Sequence, residues 1–398
     1  MKGKRWMTLL CCGIMTFLAA GCNFGGGTQE EEVDLDTPKY DLERYMTPIW
    51  EGNVVYNESV CLLLNEQGDF DLKTLLYDAT EIVSVRSGKL DKRYIEGQDY
   101  SLENGKLKLN KDSGYLKIAY NDYYIKYEPS GEKLVRASKE GVWLYYTEGS
   151  WFHERQIAVT YKHNSTFDPA YIPQSKGDKL SKVHAKLAAK EPVNIVLYGA
   201  SNDTGCNSSS FVNCAPFAPT YPEMMEAQLR KDYGYDQITI DNSLSVGGMA
   251  SDYGVAQLDN LVAKNPDLVI ICFGINDAYY RSVEEYAVNM KTMVERIKED
   301  CPQSDIILAH GPYTNPEVGR AKEWSHLDTY NVLLDKYGVE LYKLEENGVV
   351  VADLCKIDGY VLTRKQFADM TANNINHNND FKARMVAQTL IKTMKIEK

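Results

Sequence analysis

The sequence predicts an α/β protein: a three-layer α/β/α, doubly wound parallel sheet preceded by an all-β, sandwich-like domain. Three observations lead there. From about residue 190, short apolar runs of strand length alternate with segments of helical period, the order that builds parallel βαβ units. Between about 46 and 180, by contrast, short runs rich in β-branched and aromatic residues are separated by turn signals. The length of 398 residues, 44% hydrophobic and 25% charged, is ample for two folded domains.

At the N-terminus, Lys2, Lys4 and Arg5 precede an apolar stretch from Met7 to Ala20 that ends Leu18-Ala19-Ala20-Gly21-Cys22. A basic start, a short apolar core and small residues form a signal peptide. Small residues followed directly by cysteine resemble the bacterial lipobox, which implies lipidation of Cys22 and removal of residues 1–21. Two acyl chains suffice for stable anchoring where one is marginal. Loss of three basic residues leaves 41 Lys+Arg against 56 Asp+Glu, a charge of −15 in place of −12. Such a chain lacks the positive footprint that phosphate binding needs, so no nucleic-acid partner is expected. No later apolar run approaches the roughly 20 residues that span a bilayer.

Residues 22–45, with Gly25 to Gly27 and then Glu30 to Glu32, Asp34 and Asp36, read as a flexible acidic tether. In the β-rich domain, 46–185, the strand runs are Val54 to Tyr56, Glu81 to Val85, Tyr115 to Tyr120 and Trp143 to Tyr146. Asn104-Gly105, Ser113-Gly114 and Ser130-Gly131 mark turns. Fifteen of the 28 tyrosines lie between Tyr40 and Tyr171, either filling a core or presenting rings for sugar stacking. The lysines from Lys176 to Lys190 read as a solvated linker or helix face.

In the second domain, 186–398, strands are expected at Val193–Tyr198, Ile238–Ile240, Leu268–Phe273, Asp305–Leu308 and Val349–Ala352. A helix is expected over Thr220–Tyr233, with Thr220 as N-cap, Pro222 in its first turn and Gly234 past its end. Others follow at Val283–Lys298 and Ala321–Tyr337. Ala383, Val386, Ala387, Leu390, Ile391 and Met394 keep the spacing of an amphipathic final helix. Of six cysteines past Cys22, Cys206 and Cys214 share a Ser/Asn-rich loop and form the best candidate disulfide, while Cys272 reads as a buried hydrophobe. No Cys-x-x-Cys pair, EF-hand loop or glycine-rich phosphate loop occurs, so no metal and no cofactor are expected.

In doubly wound sheets ligands gather beyond the carboxyl ends of the strands. Those ends carry Gly199-Ala200-Ser201, Gly247-Gly248 and Gly274-Ile275-Asn276-Asp277, and Asn374-Ile375-Asn376-His377 precedes the final helix. A serine with a histidine base permits acyl transfer, and glycine and asparagine N–H groups suit an oxyanion. The segment from about 190 resembles the SGNH (GDSL-type) hydrolase superfamily, whose four blocks supply Ser, Gly, Asn and His. Gly274–Asp277 is a full match to the third block, whereas Ala200 replaces the aspartate of Gly-Asp-Ser and Asn378 the proline of His-Pro-Asn-Asp. The resemblance implies Ser201 as nucleophile, His377 as general base, and an oxyanion hole from the N–H groups of Ser201 and Gly248 and the amide of Asn276. The family's aspartate three residues before the histidine is here Asn374, leaving three options: Asn374 orients His377, a dyad operates, or another carboxylate such as Asp369 or Asp380 substitutes. Exported two-domain relatives resemble carbohydrate esterases that deacetylate polysaccharides. A lipase- or thioesterase-like enzyme and an inactive glycan-binding lipoprotein are the alternatives.

Overall fold

The computed structural model describes residues 34–127, 133–320 and 328–396. The expected signal segment, Cys22 and the Ser130-Gly131 turn lie outside them, as does the start of the expected 321–337 helix. Among the described residues no helix is long and apolar enough to cross a membrane.

Among the described residues nine strands precede the parallel sheet: β1 (Val54–Cys61), β2 (Ala79–Ser87), β3 (Arg93–Tyr94), β4 (Tyr100–Glu103), β5 (Lys106–Leu109), β6 (Tyr124–Ile125), β7 (Leu134–Arg136), β8 (Trp143–Tyr145) and β9 (Gln156–His163). They form three antiparallel sheets, ordered β1-β9-β2-β3, β4-β5 and β6-β8-β7. Asn104-Gly105 makes the β4–β5 turn with φ of 51° and 75°, the left-handed pair a two-residue hairpin requires. Tyr115–Tyr120 is not a strand, since only Ile118 makes an isolated bridge, to Leu63. The tyrosines mostly fill the core: Tyr77, Tyr94, Tyr100, Tyr115 and Tyr161 are buried together.

The parallel sheet contains β10 (Val193–Tyr198), β11 (Ile238–Asp241), β12 (Leu268–Ile271), β13 (Asp305–His310) and β14 (Val349–Asp353). All its pairs are parallel, in the order β11-β10-β12-β13-β14. Strand side chains alternate between faces. Ile195, Leu197, Ile270 and Ile307 accordingly pack on one side against helices Ser181–Ala189, Tyr221–Tyr233 and Asp380–Met394. Val196, Tyr198, Val269, Ile271 and Leu308 pack on the other against Val283–Asp300 and Tyr330–Tyr342. This is the expected three-layer, doubly wound arrangement. Thr220 and Glu223 form a capping box, and Gly234 ends that helix at φ 67°.

Two boundaries differ from the sequence reading. The described residues from 35 onward form one compact unit, with no division near 185. The core of the β-rich part includes Ile357, Val361, Phe381 and Met385 from the α/β part. Between them lies an ion pair with no exposed side-chain surface: Lys365 Nζ stands 2.6 Å from Glu58, which also accepts from the Tyr161 hydroxyl at 2.7 Å. Second, the expected tether ends before 35. Asp36 binds Arg86 and Arg93, and a short helix, Leu42–Met46, buries Tyr45 and Met46 against the α/β core. Of the two readings of the Lys176–Lys190 stretch, the helix face is the one found: Ser181–Ala189 is a helix that buries Val183 and Leu187 and leaves Lys182 exposed, while Lys176 pairs with Glu345 at 2.5 Å.

Candidate active site

Strand β10 runs into Gly199, where any Cβ would stand 2.1 Å from Asp203 Oδ2, so only glycine fits. The chain then turns at Ser201 into a short 3-10 segment, Asn202–Thr204. Buried Asp203 holds that turn, accepting from the Ala200 N–H and the Tyr221 hydroxyl, both at 2.6 Å. Burial pushes the Asp203 carboxyl up to about 6 against those two donors. Asp203 thus makes local contacts here while Ala200 occupies the motif's usual aspartate position.

Ser245 ties the β11 loop to this turn by donating to Leu197 O and accepting from the Gly199 N–H. Met249 N–H closes a tight turn on Val246 O at 3.3 Å, with Gly248 at φ +79° in its third position. That conformation favours glycine, and the N–H groups of the two central glycines take no part in the turn's own bond. A Cβ on Gly247 would stand 3.7 Å from Ser201 Cβ, whereas one on Gly248 would meet open space. The glycine pair therefore lies beside the serine, and the close approach is made by Gly247. Asn276, after β12, donates one Nδ2 hydrogen to Met249 O at 2.8 Å; its amide has a second hydrogen left to donate. Its neighbour Asp277 is fully buried and accepts from the Ser251 N–H at 3.0 Å.

His377 sits in a loop tied down by one side chain, since Asn373 Oδ1 accepts from the N–H groups of Ile375, Asn376 and His377. Its Nε2 stands 2.9 Å from Ser201 Oγ and its Nδ1 2.9 Å from Glu148 Oε2. Three side chains are thus hydrogen-bonded in series: serine, histidine and glutamate. Asn207 and Asn373 donate to the two Glu148 oxygens and fix the carboxylate, although its side chain is 54% exposed.

The acid at His377 is therefore neither Asn374 nor one of the two nearby aspartates. Asn374 is buried at φ 69°, accepts from the Tyr123 hydroxyl and Asn315 Nδ2, and donates to Tyr145 O. Asp369 accepts from the Cys61 N–H and Asp380 from the Ser209 N–H. Glu148 follows β8, in the β-rich part, 229 residues before its partner. No local spacing signals such a pairing; the one sequence cue is the missing aspartate at 374.

Burial of the ring opposes charging of His377, but the Cys206 sulfur and the Glu148 carboxylate outweigh it and raise the imidazole from 6.5 to about 9. Glu148 is held below its usual range: its own burial pushes upward, and the hydrogen bond and charge of His377 overcome that. The expected Cys206–Cys214 disulfide does not form; both are free thiols, with Cys206 beside His377 and Cys214 buried. Cys272 is a half-buried free thiol behind Gly199.

A cavity of about 20 Å³ opens between Ser201, Ile275, Asn276 and Pro312, with Ala200 and Asn378 on its wall. It holds about one water molecule and is lined as well by the apolar side chains of Leu354, Val386 and Leu390.

Comparison with curated proteins gave no match. Among solved structures, the chain is similar to a two-domain esterase active on acetylated mannans, co-crystallised with mannopentaose (20% identity, TM-score 0.41, 55% of this chain and 53% of that one). It is also similar to an acetyl xylan esterase (18%, 0.40, 50% and 98%). A third is an acetylxylan esterase from Geobacillus stearothermophilus, solved as a catalytic mutant (19%, 0.42, 52% and 95%). The chain spans about half the length of the two-domain esterase. Residues 197–377, which run from the end of β10 through His377, match the GDSL-like Lipase/Acylhydrolase family, and the chain carries a domain of that kind.

Proposed function

We propose that this protein is a serine esterase that removes acetyl groups from carbohydrate outside the cytoplasm, anchored by a lipid on Cys22. The hydrogen-bonded series Ser201–His377–Glu148 carries the reading. Ser201 Oγ attacks the ester carbonyl while His377 Nε2 takes its proton. Glu148 holds Nδ1–H, which selects the tautomer with a free Nε2 lone pair and stabilises the imidazolium that forms. The oxyanion is met by the N–H groups of Ser201 and Gly248 and by the second Asn276 hydrogen, each donor worth about 3 kcal/mol of barrier. The imidazolium then protonates the departing sugar hydroxyl, and water repeats the sequence on the acyl-enzyme.

The resemblance to exported two-domain carbohydrate esterases supplies the acetylated glycan as substrate. The lipid anchor rests on the basic, apolar and Leu-Ala-Ala-Gly-Cys segments of residues 1–22. Fluorophosphonate labelling followed by an ester panel tests the enzyme. We expect the wild type to label and Ser201→Ala not to, with acetylated oligosaccharides cleaved at least tenfold faster than octanoyl esters. Preference for octanoyl esters would favour a lipase-like enzyme; no labelling of folded protein would favour a glycan-binding lipoprotein. Palmitate incorporation that disappears in Cys22→Ala tests the anchor.

A further inference from the structure

We propose that Glu148, Cys206 and His377 form an inhibitory site for a thiophilic divalent cation, zinc above all, built onto the catalytic series itself. The inference rests on the esterase reading for its consequence but not for its geometry. One carboxylate oxygen, one sulfur and one imidazole nitrogen lie within 4.8 Å of one another. Thiolate, imidazole and carboxylate together match the donor set of zinc, which takes four ligands in a tetrahedron. Three side chains and one water complete it, and the exposure of Glu148 gives the ion and the water access. The surroundings are already those of a held ligand set. Asn207 and Asn373 clamp the carboxylate, and the Cys206 N–H donates to Ser201 O at 3.0 Å, which ties the thiol's backbone to the serine turn. Zinc ligands in a tetrahedron stand about 3.3 Å apart at ordinary bond lengths. The 2.9 Å between Nδ1 and Oε2 opens to that by a small swing of the half-exposed glutamate.

The consequence follows from proton accounting. In the unprotonated form that acts as base, Nδ1 carries the hydrogen given to Glu148, and Nε2 is bare toward Ser201. Zinc replaces that hydrogen at Nδ1, the imidazole proton moves to Nε2, and the Cys206 thiol releases its proton to solvent. An Nε2 that bears hydrogen cannot accept one from Ser201. No electron is transferred and no bond of the substrate is involved, so chelation reverses the effect.

The test uses the full chain in metal-free buffer. Zinc is expected to inhibit acetyl ester hydrolysis, EDTA to restore it, and magnesium or calcium at equal concentration to leave it unchanged. Cys206→Ser and Cys206→Ala, each compared with its own zinc-free rate, are expected to need at least tenfold more zinc for half-inhibition. Cobalt(II), as a spectroscopic probe, is expected to give a thiolate charge-transfer band with the wild type and none with either variant. An active wild type with no cobalt band, or zinc inhibition equal in wild type and both variants, overturns the site and leaves the esterase reading standing. A cobalt band on a protein that neither hydrolyses ester nor takes a fluorophosphonate supports the site and contradicts the esterase reading.

Discussion

A histidine base works only when one nitrogen is free of hydrogen, and Glu148 decides which one here. Its carboxylate also raises His377 to about 9, together with Cys206 and against burial. Because the base acts unprotonated, kcat/KM in EDTA-containing buffer is expected to rise with pH through a midpoint near 9 and to level off above it. In Glu148→Gln the same limb is expected to move toward the ordinary histidine range, since the amide has no charge to favour imidazolium. An unmoved limb would remove Glu148 from contact with the base. The serine, asparagine and histidine were readable because each sits in a short block at a strand end or before a helix. The acid was not, because Glu148 is one of many acidic residues and only the folded chain brings it to His377. Asn374 shows the reverse: its place three residues before the histidine pointed to catalysis, yet its amide is spent on Tyr123, Asn315 and Tyr145. Asn374→Ala is expected to lower stability by about 1–3 kcal/mol, the cost of unpaired buried groups, with kcat of the folded fraction unchanged. Denaturant unfolding and active-site titration on one sample measure both.

Among the elements, the β10 strand and its turn were legible because a central parallel strand is apolar on both faces and glycine must follow it. Gly199→Ala forces a Cβ onto the Asp203 carboxylate and the Cys272 side chain. It is expected to destabilise by about 1–3 kcal/mol and to lower kcat by displacing Ser201 from His377. Wild-type kcat and melting temperature in that variant would contradict the account of the turn. The last helix was legible only in part. Its apolar stripe predicted one buried face, but Asp380–Met394 is buried nearly all round. Phe381 and Met385 face the β-rich core while Ala383, Val386, Leu390 and Ile391 face the sheet. Its polar side chains have buried partners too: Lys382 pairs with Asp358 at 2.7 Å, and Gln388 bonds Ile49, Tyr45 and Thr47. Periodicity marks the face an isolated helix would hide; it cannot see a second layer laid over the polar one.

For the whole molecule, the change of pattern near 185 was a true change of architecture but not a boundary between independent bodies. The two parts share an apolar core, the buried Lys365–Glu58 pair and the catalytic series itself. Thermal unfolding is therefore expected to show one transition, with calorimetric and van't Hoff enthalpies in agreement. Two separated transitions would contradict the shared core. Glu58→Gln, which leaves buried Lys365 with only the more distant Asp369 carboxylate, 3.7 Å away, as charge partner, is expected to lower the stability of both parts together, by about 3 kcal/mol. Composition could not reveal this union, because apolar residues that fill an interface between parts look like those that fill either core.

In the proposed mechanism the Ser201–His377–Glu148 series makes the β-rich part a contributor to the active site rather than an appendage, and kcat of Glu148→Gln tests that most directly. With folding verified by melting temperature and acetyl ester as substrate, kcat is expected to fall on the order of 10²–10⁴-fold with KM little changed. A kcat equal to that of the wild type would contradict the assignment of Glu148 as the acid of the series.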